Sequence, residues 1–223
     1  MCGRFTVRMD ARESARVFNV SGTGSDYTPS HNIAPAQRVP VVVIRDGQRI
    51  MDTFRWGLIP SWAKDTAIGN RLINARAETV ADKPSFRQAF LRRRCLILAD
   101  GFYEWKPDGK RKQPVHITLK DRSGFAFAGL WEHWQSPEGE IVKSCTIITT
   151  EANEFMRPIH HRMPVILPKD KEDIWLDPAT TGREVVLALL VPYPSDLMLA
   201  VPVSTFVNRP GNDGPECLLP FGE

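Results

Sequence analysis

Several features that would place a chain in a specialised class are missing from this 223-residue sequence. No apolar run approaches the roughly 20 residues that a membrane-spanning helix needs, and charged residues interrupt the N-terminal positions where a secretory signal has its apolar centre. None of the four cysteines, at positions 2, 95, 145 and 217, belongs to a C-x-x-C pair of the kind that binds zinc. No repeat or low-complexity linker divides the chain. We therefore expect a cytoplasmic protein, nuclear if the cell has a nucleus, with no cofactor, no metal and no membrane contact.

Charge does not identify a partner either. The sequence has 29 basic and 26 acidic residues, a net charge of only +3, and such a balance by itself does not indicate nucleic-acid binding. The hydrophobic fraction of 42% is ordinary for a folded soluble protein and is enough for a sizeable core. The local basic run Arg92-Arg93-Arg94 is interpreted as a solvated helix end.

Short apolar runs separated by turn signals dominate what is present. The pair Asp46-Gly47 lies between two such runs and predicts a hairpin. Similar runs follow one another at hairpin intervals between residues 95 and 150, while residues 11–19, 84–94 and 151–157 have the composition of short helices. We predict an α+β fold: a single domain over residues 1–223, with a curved, mostly antiparallel, barrel-like β-sheet core flanked by short helices.

The cysteine at position 2 is the residue that folding does not explain. Chain ends are usually frayed, so we expect Cys2 to lie outside the core. Removal of Met1 would leave Cys2 with a free α-amine and a thiol on adjacent carbons, and this 1,2-aminothiol reacts with aldehydes. An arbitrary N-terminal residue is the alternative interpretation.

Three other segments have polar side chains where packing does not require them. Asn74 follows an apolar start in "LINARAETV", Glu104 lies between aromatic residues in "ADGFYEWK", and His160 precedes a predicted strand in "IHHRMPVIL". A glutamate can act as general acid or base, a histidine can exchange protons near neutral pH, and an asparagine can orient a partner. Taken singly, each has an ordinary explanation as a turn cap, a solvent-facing strand residue or a structural histidine.

Seven segments in order resemble the SRAP (SOS response-associated peptidase) family over nearly the whole chain. They are "MCGRF", "NIAPAQ", "RWGLIPSWAKD", "INARAET", "ADGFYEWK", "IHHRMPVIL" and "VSTFVNRPGNDGPECL". The resemblance implies a single α+β domain that cross-links covalently to abasic sites in single-stranded DNA through its N-terminal cysteine. His31 stands where the family usually has tyrosine. The resemblance implies two groups of site residues: the catalytic residues Cys2, Asn74, Glu104 and His160, and the DNA-contacting residues Arg4, Arg76, Trp105 and Thr149.

These residue types allow a specific reaction. Glu104 would open the closed sugar of the abasic site, the α-amine of Cys2 would attack the aldehyde, and the thiol would close a thiazolidine ring. β-Elimination of the 3′ phosphate and self-removal of Met1 are accompanying lyase and peptidase activities of such a site. We expect a monomer that shields abasic sites in single-stranded DNA during the response to DNA damage.

Two other functions are compatible with the same residues. Cys2 and His160 could form the dyad of a cysteine or N-terminal-nucleophile peptidase. Arginine and tryptophan side chains could instead bind single-stranded DNA without any covalent step. Turnover of peptides would indicate the first function, and equal binding to intact and abasic strands would indicate the second.

Overall fold

The structure is a computed structural model that describes residues 2–222. The expectation that Met1 is removed therefore concerns a residue outside the described part of the chain. Most of the described residues belong to strands, and the helices are short. The strands are β1 (Phe5–Val7), β2 (Gly22–Thr23), β3 (Ser30–Ile33), β4 (Arg38–Arg45), β5 (Gln48–Trp56), β6 (Asn74–Arg76), β7 (Arg94–Ala99), β8 (Gly101–Asp108), β9 (Arg111–Leu119), β10 (Phe125–Gln135), β11 (Ile141–Glu151), β12 (Arg162–Pro164), β13 (Ile166–Leu167) and β14 (Met198–Pro202). The α-helices are α1 (Ala11–Val17), α2 (Arg87–Arg92), α3 (Glu172–Leu176) and α4 (Arg183–Leu187), and 3₁₀ helices cover Thr66–Arg71, Lys169–Lys171, Ser195–Leu197, Thr205–Asn208 and Pro215–Leu218.

The strands form two sheets. One has the order β14-β9-β8-β1-β3, and the other follows the path β12-β11-β10-β7-β4-β5-β2, with β13 beside β10 and β6 beside β11. Neighbouring strands are antiparallel except where β11 meets β5 and β6 and where β2 meets β5. The predicted α+β fold with a mostly antiparallel, barrel-like core and short flanking helices is confirmed.

The hairpin of β4 and β5 shows how local sequence sets the register. Asp46 and Gly47 have φ values of 50° and 74°. These values lie in the left-handed region, which a type I′ hairpin turn requires at both of its central residues. Aspartate tolerates this conformation better than most residues, and glycine adopts it without a steric cost. The turn pairs Arg45 with Gln48 and carries the register to Arg38 and Arg55. The hairpin predicted from the Asp46-Gly47 pair is therefore confirmed.

The main core lies between the two sheets and is rich in aromatic rings. Phe5 of β1 contacts Trp56 at 5.0 Å and Phe127 at 5.7 Å between ring centroids, both edge-on. Cys2 belongs to the same buried cluster and has no exposed surface. The expectation that Cys2 lies outside the core is wrong, because β1 pairs with β3 on one side and β8 on the other and draws the N-terminus inward.

A second core lies between the larger sheet and the helices. Trp175 of α3 is fully buried there and donates its indole N–H to the backbone oxygen of Cys95 at 2.9 Å. Arg94 is also buried in this region, so the interpretation of the arginine run as a solvated helix end is wrong for its last member. Its guanidinium donates to five backbone oxygens, those of Phe90, Leu91, Trp175, Asp177 and Thr180.

The segment 151–157 is not the short helix predicted. Its only helical feature is one turn, in which the amide of Arg157 donates to the oxygen of Asn153. The side-chain oxygen of Asn153 accepts from the amide of Met156 at 2.9 Å, which closes that turn locally. Pro158 follows and cannot donate a helical hydrogen bond. Among residues 2–222, no helix has the length and apolar character needed to cross a membrane.

Candidate functional site

The carbonyl group of Cys2 is held by Asn74. Strand β6 runs parallel to β11 and pairs Asn74 with Ile147. From this position the Asn74 side-chain amide donates to the Cys2 oxygen at 2.8 Å. The Cys2 sulfur lies 4.0 Å from the oxygen of Arg4, the outer limit for a weak S–H hydrogen bond. Cys2 is therefore tied to β6 through its oxygen, and its sulfur lies near Arg4, the residue before β1.

Glu104 lies beside Cys2 on the inner side of β8. It pairs with Val115 and has the same strand parity as Phe102, whose side chain is in the main core. Only 4% of Glu104 is exposed, and this burial raises the pKa of its carboxyl group. Burial first, and then the charge of Glu104, raise the pKa of the Cys2 thiol. At neutral pH the thiol therefore keeps its proton, and a carboxyl group that can exchange protons is close to it.

His160 is held by the backbone of Arg162, two residues further along the chain. Its Nδ1 lies 3.0 Å from the Arg162 amide nitrogen and 3.1 Å from the Arg162 oxygen, so this ring nitrogen has a partner in either protonation state. The ring stacks on His161 at 4.3 Å. Burial lowers the pKa of His160, and the charge of the N-terminus, followed by those of Lys112 and Arg162, acts in the same direction. The imidazole is therefore neutral at physiological pH and can accept a proton.

Arg162 connects the segments that carry His160 and Asn74. Its two terminal nitrogens donate to the two carboxylate oxygens of Glu78 at 2.6 and 3.0 Å, and one of them also donates to the Thr149 oxygen at 2.7 Å. Neither Glu78 nor Arg162 is among the site residues predicted from sequence. The available signal was their place in "INARAET" and "IHHR", the two segments that supply Asn74 and His160.

Thr149, predicted to contact DNA, is fully buried beneath this salt bridge. Its hydroxyl lies 3.4 Å from the oxygen of Ala75 and 3.3 Å from a nitrogen of Arg162. Its backbone oxygen also accepts from the amide of Ala77 at 2.9 Å. The described contacts of Thr149 therefore join β6, β11 and Arg162, and its predicted role in DNA binding stays a prediction.

Arg4 and Trp105 lie together on the outer side of the smaller sheet. Phe5 and Phe102 point inward, so their strand neighbours of opposite parity point outward. The Arg4 guanidinium lies 5.6 Å from the centre of the Trp105 ring. It also donates to the Asn32 side-chain oxygen at 2.7 Å and to the Val207 oxygen at 2.9 Å. These contacts attach the C-terminal segment to β1, whereas Cys2 and Glu104 face the core.

Arg76, in contrast, is exposed beside the catalytic candidates. No hydrogen bond or ion pair joins its guanidinium to another of residues 2–222, a feature that suits contact with an external anion. It lines an open pocket of 470 Å³ together with the basic side chains of Arg157, His161 and Arg162 and the acidic side chain of Glu151. A phosphate is an anion of suitable geometry for such an arginine-rich pocket.

The structure therefore brings four predicted residues to one end of the core and separates the others. Cys2 is joined to Asn74 by a hydrogen bond and to Glu104 by an electrostatic contact, and the charge of Lys112 acts on both Glu104 and His160. Arg76 borders this group, while Arg4, Trp105 and Thr149 have structural contacts elsewhere. Within residues 2–222, no cluster of histidine, cysteine or acidic side chains could hold a metal ion. The protein's own groups at this site can therefore include an amine, a thiol and two proton-exchanging side chains next to a cationic surface.

Proteins with known names and structures resemble this chain over most of its length. It is 47% identical over 221 residues to the abasic site processing protein YoqW of Bacillus subtilis, covering 98% of this chain and 99% of that protein. It is 35% identical to the abasic site processing protein HMCES of Gallus gallus, covering 87% of this chain and 67% of that protein. A crystal structure of a protein from Bacteroides thetaiotaomicron superposes with a TM-score of 0.88 at 28% identity, covering 98% of this chain and 99% of that one. The sequence model of one family matches residues 1–210, and with these relatives it shows that the chain belongs to the SOS response associated peptidase (SRAP) family.

Proposed function

We propose that this protein processes abasic sites in single-stranded DNA by forming a covalent thiazolidine with Cys2. The observation that carries the proposal is the placement of the Cys2 backbone and thiol between Asn74 and Glu104. The names of the relatives supply the substrate, since both YoqW and HMCES are abasic site processing proteins. Arg76 and the neighbouring pocket supply a cationic surface for the strand.

The first step is opening of the sugar. An abasic deoxyribose is mainly a closed hemiacetal, and opening it needs a proton on the ring oxygen and loss of one from the anomeric hydroxyl. Glu104 is assigned this exchange, because burial raises the pKa of its carboxyl group toward the range where it can donate as well as accept. The product is a free aldehyde beside Cys2.

Bond formation follows in two stages. The α-amine of Cys2 attacks the aldehyde carbon, and the carbinolamine loses one water to give an imine. The thiol sulfur then attacks the same carbon, its proton passes to the nitrogen, and a five-membered ring closes. Because amine and thiol belong to one residue, the second stage is intramolecular and has a high effective concentration. The ring is therefore much longer-lived than the imine alone.

His160 and Asn74 are assigned supporting roles. His160 exchanges protons through Nε2 during loss of water and during reversal, since Nδ1 is held by Arg162. Asn74 fixes the Cys2 carbonyl, and so restricts the direction of the adjacent amine. We also propose that the same site eliminates the 3′ phosphate from the imine and removes Met1. The protein is proposed to be a monomer that acts at damaged DNA in the nucleoid.

The peptidase alternative has less support from the site. A cysteine peptidase attacks through a thiolate, which requires a lowered thiol pKa. Burial raises the pKa of the Cys2 thiol instead. Thiazolidine formation uses the amine as first nucleophile and tolerates a protonated thiol, so the observed environment favours it.

The test is the intact mass of the protein before and after incubation with an abasic single-stranded oligonucleotide. The expected mature chain lacks one methionine, and the adduct has the summed masses of protein and DNA less one water. Cys2→Ala should lose the stable adduct, and Cys2→Ser should give at most a heat-labile imine. Cys95→Ala, which removes a buried thiol in β7, is the matched control and should still cross-link. An adduct that retains Met1, or one undiminished in Cys2→Ala, would exclude the thiazolidine.

A further inference from the structure

His160 and Asn74, to which proton exchange and the orientation of Cys2 are assigned, belong to segments that lie along opposite edges of β11. Strand β6, which begins at Asn74, pairs with one edge of β11, and β12, which follows His160, pairs with the other edge. Both pairings include Thr149, opposite Arg76 on one side and Pro164 on the other. The distance between Asn74 and His160 therefore depends on the pairing of both strands with β11 and on any side chains that join β6 to β12 across it.

The bidentate pair of Glu78 and Arg162 makes this connection. Glu78 lies two residues beyond the end of β6, and Arg162 is the first residue of β12. The two N–H···O contacts of 2.6 and 3.0 Å are parallel, and this geometry fixes both the position and the orientation of the Arg162 guanidinium relative to the Glu78 carboxylate. The contact of Arg162 with the Thr149 oxygen at 2.7 Å attaches the same guanidinium to the strand between them.

The orientation of His160 depends on the same arginine through its backbone. The Arg162 amide and carbonyl groups hold Nδ1 of His160, so any rotation of Arg162 that its side chain permits would also move the imidazole. The Arg162 side chain is 10% exposed and that of Glu78 is 45% exposed. The carboxylate is thus the partner that can be altered without opening the core.

We propose that Glu78 is a positioning residue for the cross-linking reaction: through Arg162, it holds His160 in a fixed place relative to Asn74 and Cys2. The catalytic consequence rests on the function proposed above, whereas the placement of His160 is a property of the free protein. Glu78 does not itself exchange a proton with the sugar, because its carboxylate is occupied by Arg162.

A second consequence is electrostatic. The charged or titratable groups that act on His160 are the N-terminal amine and the side chains of Lys112, Arg162 and the adjacent His161. Glu78 neutralises Arg162, so its replacement by a neutral residue leaves a bare positive charge near the imidazole. The pKa of His160 should then fall further.

The first measurement is made without DNA. Nuclear magnetic resonance of labelled histidines in the full-length protein reports the pKa and the tautomer of His160. In Glu78→Gln we expect a lower pKa and a mixture of tautomers, and in Glu78→Asp a partial return to the wild-type values. Asp82→Asn is the matched control, because Asp82 pairs with Arg183 at 2.8 Å on the surface, four residues beyond Glu78. If the His160 signals of Glu78→Gln coincide with those of the wild type, the proposal is wrong.

The second measurement is the single-turnover rate of cross-linking to an abasic strand at saturating protein. We expect Glu78→Gln to slow this rate about tenfold, less than the roughly hundredfold loss that a 1 Å misplacement of reacting groups can cause. Asp82→Asn should stay within about twofold of wild type, as expected for an exposed charge pair. Unchanged melting temperature and DNA affinity in Glu78→Gln would separate positioning from a general loss of stability.

A double substitution tests whether Glu78 acts through His160. If it does, Glu78→Gln should slow His160→Ala by no more than about twofold, because the group that it positions is already gone. If the fold reductions in rate of the two single variants multiply in the double variant, the proposal is wrong. Wild-type protein that fails to cross-link would instead contradict the proposed function, and the histidine measurement would still decide the placement of His160.

Discussion

Arg4 and Arg76 carry the same sequence-based prediction, contact with DNA, but the structure gives them different environments. Arg4 is 9% exposed and donates to Asn32 and to the Val207 oxygen, whereas Arg76 is exposed on the surface beside the site. We therefore expect Arg4→Ala to act mainly on stability and Arg76→Ala mainly on DNA affinity. This pair of variants separates a structural arginine from one that binds phosphate.

The magnitude for Arg4→Ala follows from its two hydrogen bonds. Each bond from a charged donor contributes about 1.5–3 kcal/mol. Loss of Arg4 leaves the buried Asn32 side-chain oxygen without this donor, whereas the Val207 oxygen keeps a bond from the Asn32 side-chain amide at 3.3 Å. Allowing for partial relaxation, we expect a loss of about 3 kcal/mol in the free energy of unfolding. For a chain of this size, each kcal/mol lowers the melting temperature by about 2–4 °C, which gives a fall of roughly 6–12 °C.

The assay combines thermal unfolding with binding to an intact single strand at several salt concentrations. Arg76→Ala should leave the melting temperature unchanged and reduce the slope of log affinity against log salt by about 0.7, the value for one phosphate on a single strand. Arg4→Ala should keep that slope at temperatures where it is folded. If Arg4→Ala has the melting temperature of wild type, and if its slope of log affinity against log salt is lower by the value for one phosphate contact, the structural role inferred for Arg4 from its contacts is refuted.

Three further outcomes follow from the site and the core. Glu104→Gln should slow cross-linking to a natural abasic site by about a hundredfold or more, the scale of general acid–base catalysis, but should have less effect on a non-cyclising aldehyde; equal slowing of both substrates would contradict the ring-opening role. Asn74→Ala should slow adduct formation without preventing it, because it removes the hydrogen bond to the Cys2 oxygen, and an unchanged single-turnover rate would exclude an orienting role. Burial lowers the pKa of His116 to about 4. Between about pH 6.5 and 4 the unfolded chain therefore binds one more proton at this histidine than the folded chain does. As pH falls through this window, the free energy of unfolding should decrease by about 1.4 kcal/mol per pH unit. Urea unfolding should give a slope that is steeper by this amount in wild type than in His116→Gln, and equal slopes would refute it.

The features that could be predicted from sequence are those encoded within a few residues. The Asp46-Gly47 turn specifies its own backbone conformation, and the alternation along β8 places Glu104 opposite in direction to Tyr103 and Trp105. The grouping of the four catalytic candidates came from a family resemblance, and the contact between Asn74 and Cys2 agrees with it. Local patterns and recognisable segments were therefore sufficient to predict most of the fold class.

The features that could not be predicted depend on partners distant in the chain. Arg94 is buried because carbonyl groups from α3 and the loop after it converge on its guanidinium. Arg162 meets Glu78 only because β11 brings β6 and β12 side by side. A run of arginines or an isolated glutamate has the same local appearance whether or not such a partner exists, so no periodicity could distinguish these residues from solvated charges.

The burial of Cys2, which the sequence also did not reveal, suits the proposed use of this residue as a nucleophile. A frayed N-terminus would have to be ordered at each reaction, at a cost of about 1–2 kcal/mol for every residue fixed. Here the cost is met during folding, because β1 pairs with β3 and β8, the Tyr103 amide donates to the Arg4 oxygen, and Asn74 holds the Cys2 oxygen. The same pairing buries the thiol and keeps it protonated, which suits the proposed order in which the amine reacts first and the thiol closes the ring afterwards. The central place of β1 in its sheet is thus a structural requirement of the proposed chemistry.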